Sequence, residues 1–211
     1  MLDVHVPHEK VHGLKDFFLH LFTITIGLLI ALSLEGCVEW QHHRHLVREA
    51  EAALHDEIEN NAKQVANIRQ QVQNHRTQLD QDLAVLAQMR THAGVHDTLS
   101  LGFSMQSFDD VSWKTAQTTG AFAYMPYADA REFSDIYSAQ DELYKAQQQV
   151  VEDVMRAAAP VISLPKGVQP GPAGIDEMTT RIGMVEMRLS LVDSLINSLQ
   201  KSYQKYQSEH A

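Results

Sequence analysis

The sequence predicts an all-α protein: one N-terminal transmembrane helix followed by an elongated antiparallel helical bundle or coiled-coil body. Three observations predict it. Phe17 to Leu34 is an uncharged and almost wholly apolar run of 18 residues. Three later stretches repeat apolar residues in alternating steps of four and three, the period of a buried helix stripe. Between the stripes, glycine and proline gather at two places where a helix must stop.

Residues 1–16 read as a short tail with His5, His8, His12 and Pro7. His8 and His12 share a helix face once the chain turns helical, but two histidines alone make a weak metal site; a solvated or interfacial role is the simpler reading. Residues 17–37 read as the transmembrane helix. A bilayer core of about 30 Å asks for roughly 20 apolar residues, and Phe17–Leu34 alone supplies about 27 Å. The competing reading is the buried core helix of a soluble protein. Thr23, Gly27 and Ala31 recur every four residues, so they share one face and would let two spans approach closely. Small residues are also simply common in spans. Lys10 and Lys15 precede the span, whereas Arg44 and Arg48 follow it at a greater distance. That proximity favours the N-terminus in the cytoplasm and the body outside, which in a bacterium is the periplasmic side of the inner membrane. Leu34-Glu35-Gly36-Cys37 faintly resembles a lipoprotein processing site, with Glu35 ill-suited to it. Cys37 is the one cysteine, so no intrachain disulfide forms.

The segment after the span, from Glu35 to His45, is rich in histidine. Trp40 suits an interfacial anchor. Glu39, His42, His43 and His45 are the metal candidates, because Glu-x-x-His places two ligands on one helix face. Carboxylate-bridged sites need several such segments, and no second one follows, so a polar collar at the headgroups is the simpler reading. Residues 38–92 form a long heptad helix, with Leu54, Ile58, Asn61, Val65, Ile68, Val72, His75, Leu79, Asp82, Leu86 and Met89 on its seam. Asn61, His75 and Asp82 interrupt that seam, as polar residues do where register or partner number is fixed. A ligand role for His75 or Asp82 is the alternative.

Residues 93–125 read as an irregular segment with one short helix. Gly94, Gly102 and Gly120 punctuate it; Asp109 or Asp110 caps the short helix, and Gly120 stops it. Phe103, Phe108, Trp113, Phe122 and Tyr124 are expected to cap the core, with a ligand pocket as the second reading. Pro126 opens a second long helix over residues 126–158. Its seam is Phe133, Tyr137, Gln140, Tyr144, Gln147, Val151, Val154 and Ala158, and the two glutamines make its burial the least secure. Residues 159–175 hold four of the six prolines and read as a connector. Residues 176–211 form the last heptad helix, with Met178, Ile182, Val185, Leu189, Val192, Ile196, Leu199, Tyr203 and Tyr206 on its seam.

The run PHEKVHGLKDFFLHLFTITIGLLIALSLEGCVEWQHHRH resembles the N-terminus of a bacterial family of uncharacterised single-pass membrane proteins. WKTAQTTGAFAYMPYADAREFSDIY, from Trp113 to Tyr137, is similar to an internal segment of the same group. The resemblance implies a membrane location and a long helix after the span. It supplies no activity, substrate or catalytic residue.

The formal net charge of −10 speaks against nucleic acid, whose phosphates need clustered Lys and Arg, and against docking of the body on anionic lipid. No phosphate-binding glycine loop, nucleophile elbow or HExxH zinc motif occurs, so the reading is not an enzyme and no cofactor is implied. The expected partners are membrane lipid and a second copy or a partner membrane protein. The function expected is a membrane-tethered scaffold or interaction module working through helix–helix contacts. The alternative is an extracytoplasmic helical sensor of a ligand or metal. With no second span at the C-terminal end, it would signal through a partner.

Overall fold

The computed structural model describes residues 13–91, 99–165 and 167–210. His5, His8, His12, Lys10 and Gly94 lie outside them. Among the described residues the protein is all-helical, with four α-helices and no strand: α1 (Gly13–Thr91), α2 (Val111–Thr118), α3 (Tyr127–Ile162) and α4 (Pro172–Glu209). A single 3₁₀ turn, Ala121–Ala123, separates α2 from α3. The chain forms two compact units, Met1–Arg48 and Glu49–Ala211.

In the first unit, α1 is long and apolar enough to cross a membrane, and its apolar window buries nothing against the protein. Phe17, Phe18, Leu19, Phe22, Ile24, Leu28 and Ile30 are all exposed. The hydroxyls in this run are turned inward. Thr23 Oγ1 donates to the Leu19 carbonyl at 2.9 Å, Thr25 to Leu21 at 2.8 Å and Ser33 to Leu29 at 2.7 Å. Back-bonding of this kind leaves no hydroxyl asking for water.

In the second unit, α1, α3 and α4 share one core. Along α1 the buried positions are Leu54, Glu57, Ile58, Asn61, Val65, Ile68, Val72, Leu79, Asp82 and Leu86. Along α4 they run from Ile175 and Met178 through Leu189 to Tyr206. α3 buries a broader stripe than its period-seven seam predicts, because Ile136, Leu143, Val150 and Ala157 are buried beside Gln140, Gln147 and Val154. Tyr144 and Val151 are only half-buried. A helix packed on two sides needs two adjacent stripes, and a single-seam reading misses the second. These seams are filled from within one chain.

Cross-helix polar contacts fix the directions. α4 runs antiparallel to α1, with Arg69 donating to Asn197 and Gln200 at 2.8 Å each, Arg76 paired to Asp193 at 2.9 Å and Arg90 to Asp176 at 3.0 Å. α4 also runs antiparallel to α3, which it approaches closely; Gln140 Nε2 donates to the Tyr203 hydroxyl at 2.9 Å and Arg188 pairs with Asp153 at 3.0 Å. α1 and α3 are therefore parallel. A tight turn cannot join parallel helices, so the chain must travel back along α1 before α3 begins.

Two helix ends differ from the sequence expectation. α3 continues through Pro160 to Ile162 instead of stopping at 158. A proline there has no N–H for the Arg156 carbonyl four residues back. Arg181 of α4 supplies the missing donor, from Nη1 to the Arg156 carbonyl at 3.0 Å. α4 starts at Pro172, four residues before Asp176, with Gly171 as its N-cap. Pro is well placed at the first helical position, where its missing N–H is no loss.

Candidate functional site

The return path is the structural centre of the second unit. Residues 99–110 carry no helix and no strand, yet side chains spaced along α1 hold their backbone. Asp82 Oδ1 accepts the Ser100 N–H at 2.8 Å. His75 Nε2 accepts the Ser104 N–H at 3.2 Å. Asn61 grips Asp109 twice, accepting its N–H at 2.9 Å and donating to its carbonyl at 2.7 Å. From the other side, Gln147 of α3 accepts the Gln106 N–H and donates to the Gln106 carbonyl, both at 3.3 Å.

Geometry shows how the segment runs. Asp82 to Asn61 is 21 residues of helix, or about 31 Å. Ser100 to Asp109 covers the same distance in nine steps, which a chain achieves only near full extension, at about 3.3–3.6 Å per residue. The segment is a strap, laid antiparallel on α1. Its side chains alternate accordingly: Leu101, Phe103, Met105 and Phe108 are half-buried while Gly102, Ser104, Ser107 and Asp109 are exposed. The polar interruptions of the α1 seam are thus the clasps of the strap. Among the described residues, neither His75 nor Asp82 is gathered with other His, Cys, Asp or Glu side chains into a group of three.

At the end of the strap, Glu57 caps α2. Glu57 is 8 % exposed, and its carboxylate accepts the Ser112 N–H at 2.7 Å and the Trp113 N–H at 3.4 Å. Those are the second and third residues of α2, whose amides have no partner within the helix. Of the two expected caps, Asp109 and Asp110, it is Asp110 that occupies the N-cap position, but it makes no capping bond and pairs with Lys114 at 2.7 Å instead. The Tyr137 hydroxyl donates to Glu57 as the third partner, at 2.5 Å. Burial and the adjacent carboxylate both push the Tyr137 phenol well above its ordinary pKa. No Lys or Arg stands within ion-pair distance of Glu57 among the described residues, so three donors and the helix dipole balance its charge.

Trp113 stacks on Tyr137, centroids 4.8 Å apart and planes at 14°, and leans on Phe122 at 4.8 Å. Phe103 packs instead on His75, 4.5 Å away, and Tyr124 is exposed. The expected aromatic cap is therefore two separate groups. Beside the Trp113 stack opens a cavity of about 490 Å³, lined by residues of the strap end, α2 and α3.

The other candidate residues are placed plainly. Thr23, Gly27 and Ala31 lie on the exposed apolar stretch of α1, and a side chain at Gly27 would meet nothing within 4 Å. Glu39, His42 and His45 are exposed and His43 is half-buried. The His42 and His43 rings lie 5.9 Å apart, and the Arg44 guanidinium sits 5.2 Å over Trp40. Among the described residues no three His, Cys, Asp or Glu side chains are gathered as a metal site, so the collar histidines are not brought together as ligands. Sequence reasoning missed Glu57 and Gln106 altogether. The period-two alternation of Leu101, Phe103 and Met105 was the available signal for the strap.

Comparison with family models, with curated proteins and with solved structures returns no match.

Proposed function

We propose that the protein is a single-pass membrane protein whose second unit is an antiparallel helical bundle acting as a tethered scaffold or interaction module. The observation that carries this reading is the exposed run Phe17–Leu34, in which large apolar side chains face outward and every threonine and serine hydroxyl is satisfied by its own helix. Such a surface is at home in lipid and costly in water. The span is assigned to a bacterial inner membrane with its N-terminus in the cytoplasm and the body in the periplasm. Lys15 just before the apolar run supports that direction.

The seams of α1, α3 and α4 are filled within one chain, so they do not supply the contact with a second copy. That contact falls to the Thr23–Gly27–Ala31 face of the span and to exposed body residues such as Met184, Met187 and Leu191. Alkaline extraction of membranes tests insertion, and a C-terminal reporter active only outside the cytoplasm tests direction. Release into the aqueous phase without processing overturns the reading. Crosslinking in native membranes tests self-association. A ligand-sensing role is the second reading, and the cavity beside Trp113 is the observation that favours it.

A further inference from the structure

The outer face of α4 carries a second seam. Thr180, Met184, Met187, Leu191, Ser194 and Ser198 step by four and three, as the inner seam does, and each of them is exposed. Met184 is 58 % exposed, Met187 75 % and Leu191 46 %. The stripe holds no charge, although charged residues flank it, and those residues are engaged within the chain. Arg181 donates to Glu177 and to the Arg156 carbonyl, Arg188 pairs with Asp153, and Glu186 and Asp193 stand against Arg76. Two of the three hydroxyls are satisfied by α4 itself. Thr180 donates to the Asp176 carbonyl at 2.9 Å and Ser194 to the Ser190 carbonyl at 3.0 Å. Little on this face asks for water.

Charge, symmetry and area together select a second copy of this chain as the occupant. The chain carries a net charge of −10, so two copies repel across acidic surface and approach most easily across an uncharged stripe. A basic partner would be drawn to the acidic surface instead, and anionic lipid would find no Lys or Arg on the stripe. Two identical chains inserted in one membrane hold equivalent residues at equal height, so their stripes meet in parallel and in register. Thr180 to Ser198 covers about 27 Å of a helix about 10 Å wide, or about 270 Å². That is well short of the roughly 800 Å² per partner of a stable complex. Such a contact forms only between bodies already confined together, as a shared membrane confines every copy. We propose that the outer seam of α4 docks on the same seam of a second copy, parallel and in register, as a membrane-dependent dimer. This rests on the reading of the protein as a membrane-tethered scaffold.

Disulfide crosslinking of the full chain in native membranes tests it, with Cys37→Ser so that only introduced cysteines react. Met184→Cys, Met187→Cys and Leu191→Cys should each oxidise to a dimer. Their rates should exceed that of Gln148→Cys, exposed on α3, at least about fivefold, because a disulfide needs Cα atoms within about 7 Å. In the chain carrying Leu191→Cys, Met187→Lys should slow the crosslink at least about fivefold by setting like charges against each other, and so should Met187→Glu. Co-expression of those two variants should restore the rate to within about twofold, since opposite charges then meet at one height. Position 187 is 75 % exposed, so the circular dichroism of each variant should match the wild type. Equal rates at position 148 and on the seam, no recovery in mixed Lys and Glu copies, or crosslinks only to a different protein overturn the proposal. Alkaline extraction of the same membranes reports insertion separately. A chain that stays inserted and fails to crosslink loses the dimer and keeps the tether.

Discussion

Asn61→Ala tests the clasp of the strap. Asn61 is fully buried, and its amide closes a two-bond ring with the Asp109 backbone. Alanine removes both bonds and leaves the Asp109 N–H and carbonyl to find new partners. Two net hydrogen bonds are worth about 1–3 kcal/mol, and the vacated side-chain volume adds to the loss. Asp109 is itself exposed, so water can rescue part of the deficit and the lower half of that range is the expectation. In a domain of 150–250 residues each 1 kcal/mol moves the melting temperature by about 2–4 °C. The variant should therefore melt about 2–8 °C lower by circular dichroism. It should also exchange the Asp109 amide faster than the amides of α4, because the strap detaches before the helices part. An unchanged melting temperature together with unchanged exchange at Asp109 refutes the clasp.

Four further outcomes follow from other contacts. Burial holds the His75 imidazole below its ordinary pKa, with a hydrogen bond to the Gly102 backbone opposing the shift. The unfolded chain then takes up the proton first as pH falls through about 6.5, so stability present above that pH is lost below it. The wild type should lose stability between about pH 7.5 and 5.5 relative to His75→Gln, measured by urea melts; parallel curves refute this. Arg181→Ala should destabilise the end of α3 by about 0.5–1.5 kcal/mol by freeing the Arg156 carbonyl, and Pro160→Ala should cancel most of that loss by restoring the N–H. Additive effects in that double-mutant cycle would count against the borrowed donor. Gly120 sits at φ +76°, and a Cβ there would meet nothing within 4 Å, so Gly120→Ala should cost about 1 kcal/mol from backbone strain alone, read from urea melts. Gly27→Leu should weaken self-association in a membrane two-hybrid assay, and an unchanged signal removes the small-residue face from the proposal.

The strap explains why part of this fold resisted reading. Extended backbone has no internal hydrogen bonds, so residues 99–110 carry no helical period, and their short apolar alternation is outnumbered by glycine, serine and aspartate. Their partners are side chains distant in sequence: Asp82 for Ser100, His75 for Ser104, Asn61 for Asp109. The seam polarity at Asn61, His75 and Asp82 was visible as an anomaly, but a sequence offers no way to tell a register device from a clasp. Glu57 gave no signal, because a carboxylate next to a seam looks like any solvated helix residue until a second helix end arrives above it.

The chain's own residues determined the helices, since helix period and apolar stripe are local properties that α1, α3 and α4 display over many turns. They also determined the exposed apolar run at Phe17–Leu34, which follows from composition alone. Only the tertiary structure decided that α1 and α3 lie parallel, that an extended segment must therefore run back between them, and that α3 survives Pro160 by borrowing a donor from Arg181. The cavity beside Trp113 was settled the same way. Each depends on groups that meet in space at separations of tens of residues along the chain, where local periodicity carries no information.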